Sequence, residues 1–592
     1  MTNLKTKEQL RNIALSIVIA CGTVGSASAA TAVDEVTTHR VAPKRLVWVS
    51  DSTGKYVRNA ENMLKPFSGQ VSVADTVCTT MRSDKGHTAS LLIDFGEEMN
   101  GGVVIYSPIR DSQKPVKLHL CFGESVSEAM SRVGEKDATN DHAMRDLDIE
   151  APWLGSIKVG DTGFRFVRID LCDHDVKYRL KTVEAESRYR DIEPVGSFES
   201  DNALLNKIWE VGAHTVHMCM QEYLWDGVKR DRLVWMGDMH PEVSTVNTVF
   251  GADATVKRTL DFARDDTPLP GWMNDMCSYS LWWIIVHRDL YKYNRDLGYL
   301  LEQQEYLRGL LAQIDGKIDK NGRESLDGSR FLDWPTSECH DDINSGIHSL
   351  CTMAMQAAAE IAVVLGDKEL EKTAKNAEER LRKVQYPVTV CKQTAALAVI
   401  SGTCSDTDKA VKMLLNDGPQ NFSTFYGYYM IEALAKAGKY EEAVKIIEQY
   451  WGKMLELGAT TFWENLDWSD TANASRIDEI VPTGKTDIHA DCGAYCYKGL
   501  RMSLCHGWAS GPTPWLTRHI LGIEPVQSPL MKYSITPHLV GCTRAKGSLP
   551  TPLGAISVNH RRLANGKIVS EVSAPQGVII EAHGTEMKLN RY

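Results

Sequence analysis

The chain has no surplus of positive charge: 66 Lys and Arg stand against 77 Asp and Glu, for a net charge of −11. Phosphate neutralisation needs clustered excess cations, so nucleic acid is excluded as a partner and anionic membrane surfaces are disfavoured. The start of the chain also lacks a long apolar run. "IALSIVIA" (Ile13–Ala20), behind Lys5, Lys7 and Arg11, is too short to span a bilayer. This pattern predicts an export signal over residues 1–29, cleaved at the small-residue stretch Ala27–Ala29 or, alternatively, lipidated at Cys21. The expected location is extracytoplasmic, either periplasmic or lipid-anchored at a bacterial outer membrane, with no membrane contact beyond that anchor.

Other features are missing too. The 14 cysteines do not form a short, loop-rich disulfide framework; Cys219, Cys351 and Cys391 stand in apolar helical text and read as buried free thiols. "DCGAYCYKGLRMSLCH" (Asp491–His506) has no zinc spacing, and "ECHDD" (Glu338–Asp342) reads as a solvated loop. "IDKNGRESL" (Ile318–Leu326) is not a calcium loop, and its Asn321-Gly322 predicts a hairpin turn. No metal and no cofactor are expected. No fixed repeat period is visible, which argues against an open solenoid.

A chain of 592 residues exceeds one ordinary domain, and its patterning changes twice. Over 41–192, short runs such as "KRLVWVS", "ASLLIDFG", "VKLHLCFG" and "GFRFVRIDL" predict an N-terminal β-sandwich. Over 193–522 the period becomes helical. An Asp201 cap precedes Leu204, Leu205, Ile208 and Val211 on one face, and antiparallel helix pairs follow, interrupted by long loops rich in Trp, Asp and Gly. This predicts a closed (α/α)6 barrel with its site at one mouth. Over 523–592, "YSITPHLVG", "GAISVNHRRL" and "GVIIEAHG" predict a small C-terminal β-sandwich. The fold class is thus multidomain α+β.

Four barrel loops pair tryptophans with charge: "WDGVKRDRLVWMGD" (Trp225–Asp238), "GWMNDMCS" with Trp272 and Asp275, "FLDWPTSECHDD" with Asp333 and Trp334, and "TTFWENLDWSD" with Trp463 and Glu464. Sugars are held by aromatic platforms under apolar ring faces and by carboxylates and guanidinium groups at hydroxyls, so the implied partner is a carbohydrate. Trp282 and Trp283, on an apolar helix, read as core. Arg165 and Arg168 read as strand residues that support the sandwich–barrel interface.

In this order, "VGSFESDNALLNKIWE", "WDGVKRDRLVWMGD", "LDWP", "TTFWENLD" and "SLCHGWASGPTPWLTRHILGI" resemble the bacterial α-L-rhamnosidases of glycoside hydrolase family 78. The resemblance runs from about Gly196 to Tyr592 and implies an inverting hydrolase. It implies that Asp226 and Arg230 bind sugar, with Trp235 and Asp238 closing the same motif. It further implies that Glu464 is the general base and His506 the pocket histidine, with Trp515 beyond it. An inverting enzyme also needs an acid, roughly 6.5–9.5 Å from the base. The family's motif reads D-C-P-Q-R-D-E-R-L-G-W-T-G-D, whereas here Arg230-Asp231-Arg232-Leu233 lacks that Glu.

Asp231, nearest the gap, is the expected replacement, with Asp238 and Glu242 as alternatives. Lys229, Arg230 and Arg232 against Asp231 make the loop more cationic than the family's, which would suit an anionic, uronate-bearing substrate. A second reading is therefore a lyase acting on a rhamnosyl-glucuronate linkage. There Arg232 or Lys229 would neutralise the uronate, and His506, a Tyr or Glu464 would remove the proton. A third is a carbohydrate-binding relic without catalysis, against which the intact "TTFWENLD" stands.

Overall fold

The computed structural model describes residues 36–592 except 74, 110–113, 338, 339 and 389. The expected export signal, Cys21 and the Glu338-Cys339 part of "ECHDD" lie outside the described residues.

The N-terminal region is an antiparallel sheet of seven strands facing a sheet of three. Along the large sheet run Val36–Val41, Thr182–Arg190, Ser90–Ser107, Gly155–Leu171, Val116–Gly123 and Asp146–Ala151, and Arg45–Val49 pairs with the first half of Ser90–Ser107. The run "ASLLIDFG" continues through "GGVVIYSP" as one long strand, bent by register shifts between Asp94 and Met99 and between Gly101 and Val103. Leu91, Ile93, Leu118, Leu120, Val167 and Ile169 alternate inward and fill the space between the sheets.

The middle region is a closed double ring of helices. The inner ring is Met239–Val249, Cys277–Asn294, His340–Leu365, Lys392–Ser401, Gly427–Lys436 and Pro512–Trp515, the last continuing through Leu516–Ile520. Each packs on the next, and the last on the first. Sequence composition separates the rings. Every residue of Met239–Val249 is buried, whereas the outer helix Ala254–Asp265 buries only Thr255, Val256, Thr259, Leu260 and Ala263, a single stripe. Trp282 and Trp283 lie in the core, as expected. The apolar helix Asp341–Leu365 is long enough to cross a membrane, but 78% of its most apolar window is buried inside the protein, as an inner-ring helix requires.

The first barrel helix, Ala203–Cys219, is capped by Asn202, whose side chain accepts from the Leu204 and Leu205 N–H groups. Asp201, the expected cap, instead accepts from the Thr543 N–H and hydroxyl and from the Arg544 N–H. Its carboxylate ties the helix start to the C-terminal sheets, which is why the cap falls one residue later. Leu204 accordingly points outward and is exposed. The C-terminal region holds a five-stranded and a three-stranded sheet, and the strand Ser197–Ser200, just ahead of the barrel, joins the former by pairing with Arg544–Leu549. All 12 described cysteines are free.

The N-terminal sandwich reaches the barrel mouth. Arg165 donates to the Gly458 carbonyl at 3.0 Å and pairs with Asp94, as expected of an interface arginine. Arg168 stays inside the sandwich on Asp170 and Met130. The segment after Val116–Gly123 lies along the rim: the Val126 N–H bonds to the Ile477 carbonyl, and the Lys136 carbonyl accepts from the Leu500 N–H.

Candidate active site

The loop between helices Ala203–Cys219 and Met239–Val249 carries the motif Trp225–Asp238. Asp226 closes it on itself: its N–H bonds to the Leu233 carbonyl at 3.1 Å, and its Oδ1 accepts from the Leu233 N–H at 2.9 Å. Between them, Asp231 and Arg232 both take left-handed backbone conformations (φ 57° and 58°), uncommon for residues with side chains. The turn sends consecutive side chains in different directions. Gly237 is required by close approach, since a Cβ there would sit 2.2 Å from the Tyr279 ring.

A cavity of about 190 Å³ opens at this mouth, lined by Asp226, Arg230, Asp231, Trp235, Asp238, Trp334, Glu464 and His506. Glu464 is completely buried. Its Oε1 accepts from the Arg230 guanidinium, and its Oε2 accepts from the Ser503 N–H at 3.0 Å. Burial raises its pKa, while Arg230 and the Ser503 N–H pull the other way. His506 Nε2 stands 3.6 Å from Asp226, 3.9 Å from Glu464 and 4.0 Å from Asp238. Burial, then Arg230, pushes this imidazole well below its ordinary range, so it is neutral. Asp226 and Asp238 are pushed well above the carboxylate range by burial, then by each other's charge or that of Asp231. The Tyr279 hydroxyl reaches Asp238 only at 3.5 Å.

Asp231 sits higher, its side chain 17% exposed against 2% or less for Asp226 and Asp238. Its Oδ2 accepts from Trp235 Nε1–H at 3.0 Å, and its Oδ1 is 3.1 Å from Nδ1 of His142, a residue of the N-terminal region. Nε2 of the same ring lies 3.0 Å from Arg501 and 3.1 Å from the Asp141 carboxylate; with Arg501 donating to it, the ring proton stands on Nδ1 and faces Asp231. Burial lowers the His142 pKa against the opposing pull of Asp231 and Asp141, which keeps the ring neutral. Both carboxyl oxygens of Asp231 are thus fixed.

Arg232, Trp272, Asp275, Asp333 and Trp463 lie outside the cavity lining, as do Lys229, Glu242 and Trp515. Arg232 turns to Asp161 and lies over the Trp225 ring. Trp272 is buried and donates to Asp327. Asp275 is exposed, its carbonyl accepting from the Ser329 N–H. Asp333 is buried as an acceptor for Thr336, Gln393 and Ser423, and Trp463 is packed in the core.

The cation count of the motif also misleads. Lys229 is buried away from the cavity on Glu124, Glu128 and the Leu500 and Met502 carbonyls. With Arg232 on Asp161 and Arg230 on Glu464, no cation of the motif is left unpaired for a uronate. Glu242 is wholly buried, and among the described residues neither of its oxygens has a hydrogen-bond partner. It packs where a Cβ on Gly507 would touch it at 2.3 Å and does not line the cavity.

The lining also includes Met276, Tyr279, Phe331, Cys496, Arg501 and Trp508. Arg501 and Cys496 stand in the stretch read for metal spacing, and Tyr279 stands in the helix read as core. Trp508 stacks on His506, two positions before it in the chain (ring centroids 4.2 Å apart). Rings run in file from Trp235 through Tyr279 and Phe331 to Trp334, with neighbouring centroids 5.3–6.4 Å apart.

Two clusters of His, Cys and carboxylate lie elsewhere. In Glu124–Glu128–His489 the Lys229 ammonium holds both carboxylates, and both ring nitrogens of His489 are engaged, by Ser125 and by the Met502 carbonyl. In His119–Cys121–Asp146 the imidazole is shared between Asp146 and Asp148 at 2.6 Å each, with Arg132 beside Asp146.

A closed helical barrel with carboxyl groups, a buried guanidinium and an aromatic wall at one mouth has the fold of the six-hairpin glycosidases. Residues 193–421 match the family model of the bacterial α-L-rhamnosidase six-hairpin glycosidase domain. The chain is similar in fold to the GH78 family rhamnosidase of Bacillus sp. GL1, with TM-score 0.71 and 20% identity over 90% of this chain and 56% of that one. It also resembles the α-L-rhamnosidase from Dictyoglumus thermophilum, with TM-score 0.63 and 18% identity over 86% of this chain and 57% of that one. A third likeness is to the Klebsiella oxytoca rhamnosidase with rhamnose bound, with TM-score 0.63 and 20% identity over 82% of this chain and 96% of that one. The chain thus spans little more than half the length of the first two. No curated protein matches it.

Proposed function

We propose that the protein is an exo-acting, inverting glycoside hydrolase that removes a terminal rhamnose, or a sugar of similar shape, from a glycan outside the cytoplasm, as a free or lipid-anchored protein. The observation that carries this reading is one cavity with fixed carboxyl groups at two depths: Glu464 at the floor, held by Arg230 and Ser503, and Asp231 near the mouth, held by Trp235 and His142. Glu464 takes a proton from the water that attacks the anomeric carbon and later releases it to solvent. Asp231, which accepts from Trp235 and is paired with His142, takes up a proton from solvent, which it can reach, and gives it to the departing glycosidic oxygen. Asp226, Asp238 and neutral His506 offer donors and acceptors to the sugar hydroxyls, and the ring file from Trp235 to Trp334 takes the apolar face.

The test is to incubate purified protein with an aryl α-L-rhamnoside and with a rhamnose-capped, glucuronate-bearing oligosaccharide, following the first-formed anomer by NMR. β-Rhamnose is expected. First-formed α-rhamnose would exclude inversion. Ultraviolet absorbance from an unsaturated uronate would establish the lyase, and sugar binding without turnover the binding relic.

One feature favours a second donor: burial, then the charge of Asp231, raises the Asp238 carboxyl well above its ordinary range. An activated aryl leaving group needs little protonation, so the variant that loses activity on sugar leaving groups but keeps it on activated aryl ones, Asp231→Asn or Asp238→Asn, identifies the acid.

A further inference from the structure

Beside the cavity lies a larger groove of about 550 Å³, within the ~300–1,000 Å³ range of small-molecule sites. The two share a wall made by neighbouring residues. Trp334 faces the cavity and Pro335 the groove, Glu464 the cavity and Asn465 the groove, and Cys496 the cavity between Tyr495 and Tyr497 of the groove. The aromatic file continues across this border. Trp334 stacks on Tyr495, with centroids 6.3 Å apart and planes 23° apart, and both rings are more than a third exposed.

The groove's charge is acidic. Among the described residues, Asp342, Asp467, Asp470 and Asp491 line it against one cation, Lys392. That lysine is buried and spends its ammonium on the Asn416 and Gly418 carbonyls, at 2.8 Å each. Asp491 pairs with Lys136. Asp342 is buried, whereas Asp467 is exposed, its Oδ1 held by the Ser469 N–H at 2.9 Å and the Ser469 hydroxyl at 2.7 Å.

We propose that this groove is the binding site for the leaving-group side of the substrate, and that it takes an uncharged, hydroxyl-rich glycan arm. Tyr495 continues the stacking platform from Trp334, and the exposed Asp467 carboxylate accepts a sugar hydroxyl. The remaining carboxylates repel a uronate, which inverts the preference suggested by the cations of the motif. The assignment rests on the hydrolase reading above, and a binding experiment separates the two.

Binding is measured by calorimetry, with a neutral tetrasaccharide that carries no rhamnose cap and with its glucuronate-containing counterpart. Wild type should bind the neutral probe about tenfold more tightly than the uronate probe. Tyr495→Ala and Asp467→Asn should each weaken neutral binding, and Asp467→Asn should narrow the gap between the probes. No binding of the neutral probe, equal binding in both variants, or tighter uronate binding would overturn the proposal whatever the enzyme turns over.

Kinetics supply the second arm. A rhamnose-capped neutral glycan should show a KM about tenfold below that of an aryl rhamnoside, and Tyr495→Ala should abolish that advantage with kcat on the aryl substrate unchanged. A KM indifferent to the glycan arm would overturn the groove assignment while leaving the hydrolase intact. No turnover of any substrate, with neutral binding retained, would sink the hydrolase reading alone.

Discussion

Lys229 and Asp231, two positions apart on one loop, enter two buried polar regions that use the same side chains to different ends. On the Lys229 side one ammonium answers two carboxylates. The ammonium lies 3.1 Å from Glu124 and 3.2 Å from Glu128, and the Leu504 N–H donates to Glu124 at 2.5 Å. Burial pushes Glu124 up to about 7 against the pull of Lys229. For Glu128 burial acts upward too, but the Lys229 and Arg145 cations win and hold it below its ordinary range. On the Asp231 side, Asp226 and Asp238 are buried with few donors and are forced to stay protonated. The first region is a joint between sandwich and barrel whose central ammonium is fully engaged, with Glu98 beside it keeping one buried oxygen without a partner among the described residues. The second keeps unused hydrogen-bonding capacity in an open cavity, where a substrate can use it.

Two substitutions probe this contrast most strongly. Glu464→Gln keeps the shape and should reduce kcat by about 10²–10⁴-fold, the usual contribution of a general base, while unfolding in denaturant shifts little. Lys229→Met removes the one cation shared by two buried carboxylates and should destabilise the fold by about 3–5 kcal/mol. Folded Lys229→Met should retain its activity. If it instead unfolds like wild type and loses turnover, the ammonium belongs to the chemistry and the comparison is wrong.

The same contrast explains what is legible in the sequence. The change from period two to helical period, and back, is a local property, so sandwich, barrel and terminal sheets can all be read from the order of residues alone. The motif residues Asp226, Arg230 and Glu464 stand out by unusual charge beside tryptophan, whereas His506 emerges only through the resemblance of its motif to the family's. The direction in which each side chain points is not legible, because it depends on the backbone turn at Asp231 and Arg232 and on partners far along the chain. Lys229 finds Glu124 and Glu128 across domains, and Arg232 finds Asp161. His142 has no local signal at all: it stands in a polar loop, and only the packing of sandwich on barrel brings it to Asp231.

Asp231→Asn should reduce turnover of a sugar leaving group by about 10²-fold and that of an activated aryl rhamnoside much less. His142→Ala removes one of the two donors that orient this carboxyl and should give a smaller loss with the same leaving-group dependence. His142→Gln, which can still donate, should recover part of it. Equal losses on both substrates for His142→Ala would mean that the residue only supports the loop.

The smallest expected effect concerns stability. Asp238 has a folded-state pKa raised by burial and by Asp231 and Glu464. Above the ordinary carboxylate pKa the folded state therefore binds a proton that the unfolded state has released, and this group's contribution to stability declines as pH rises. Asp238→Asn removes the titration and keeps a polar group of the same size. The variant should be more stable than wild type at pH 7, by on the order of 1–2 kcal/mol, with the difference vanishing below about pH 4. Denaturant unfolding at the two pH values measures it. A saturated pocket would give the opposite sign, because removing a paired carboxylate destabilises. A gain in stability accompanied by a loss of turnover would mark Asp238 as a group held in an unfavourable state for the sake of the site.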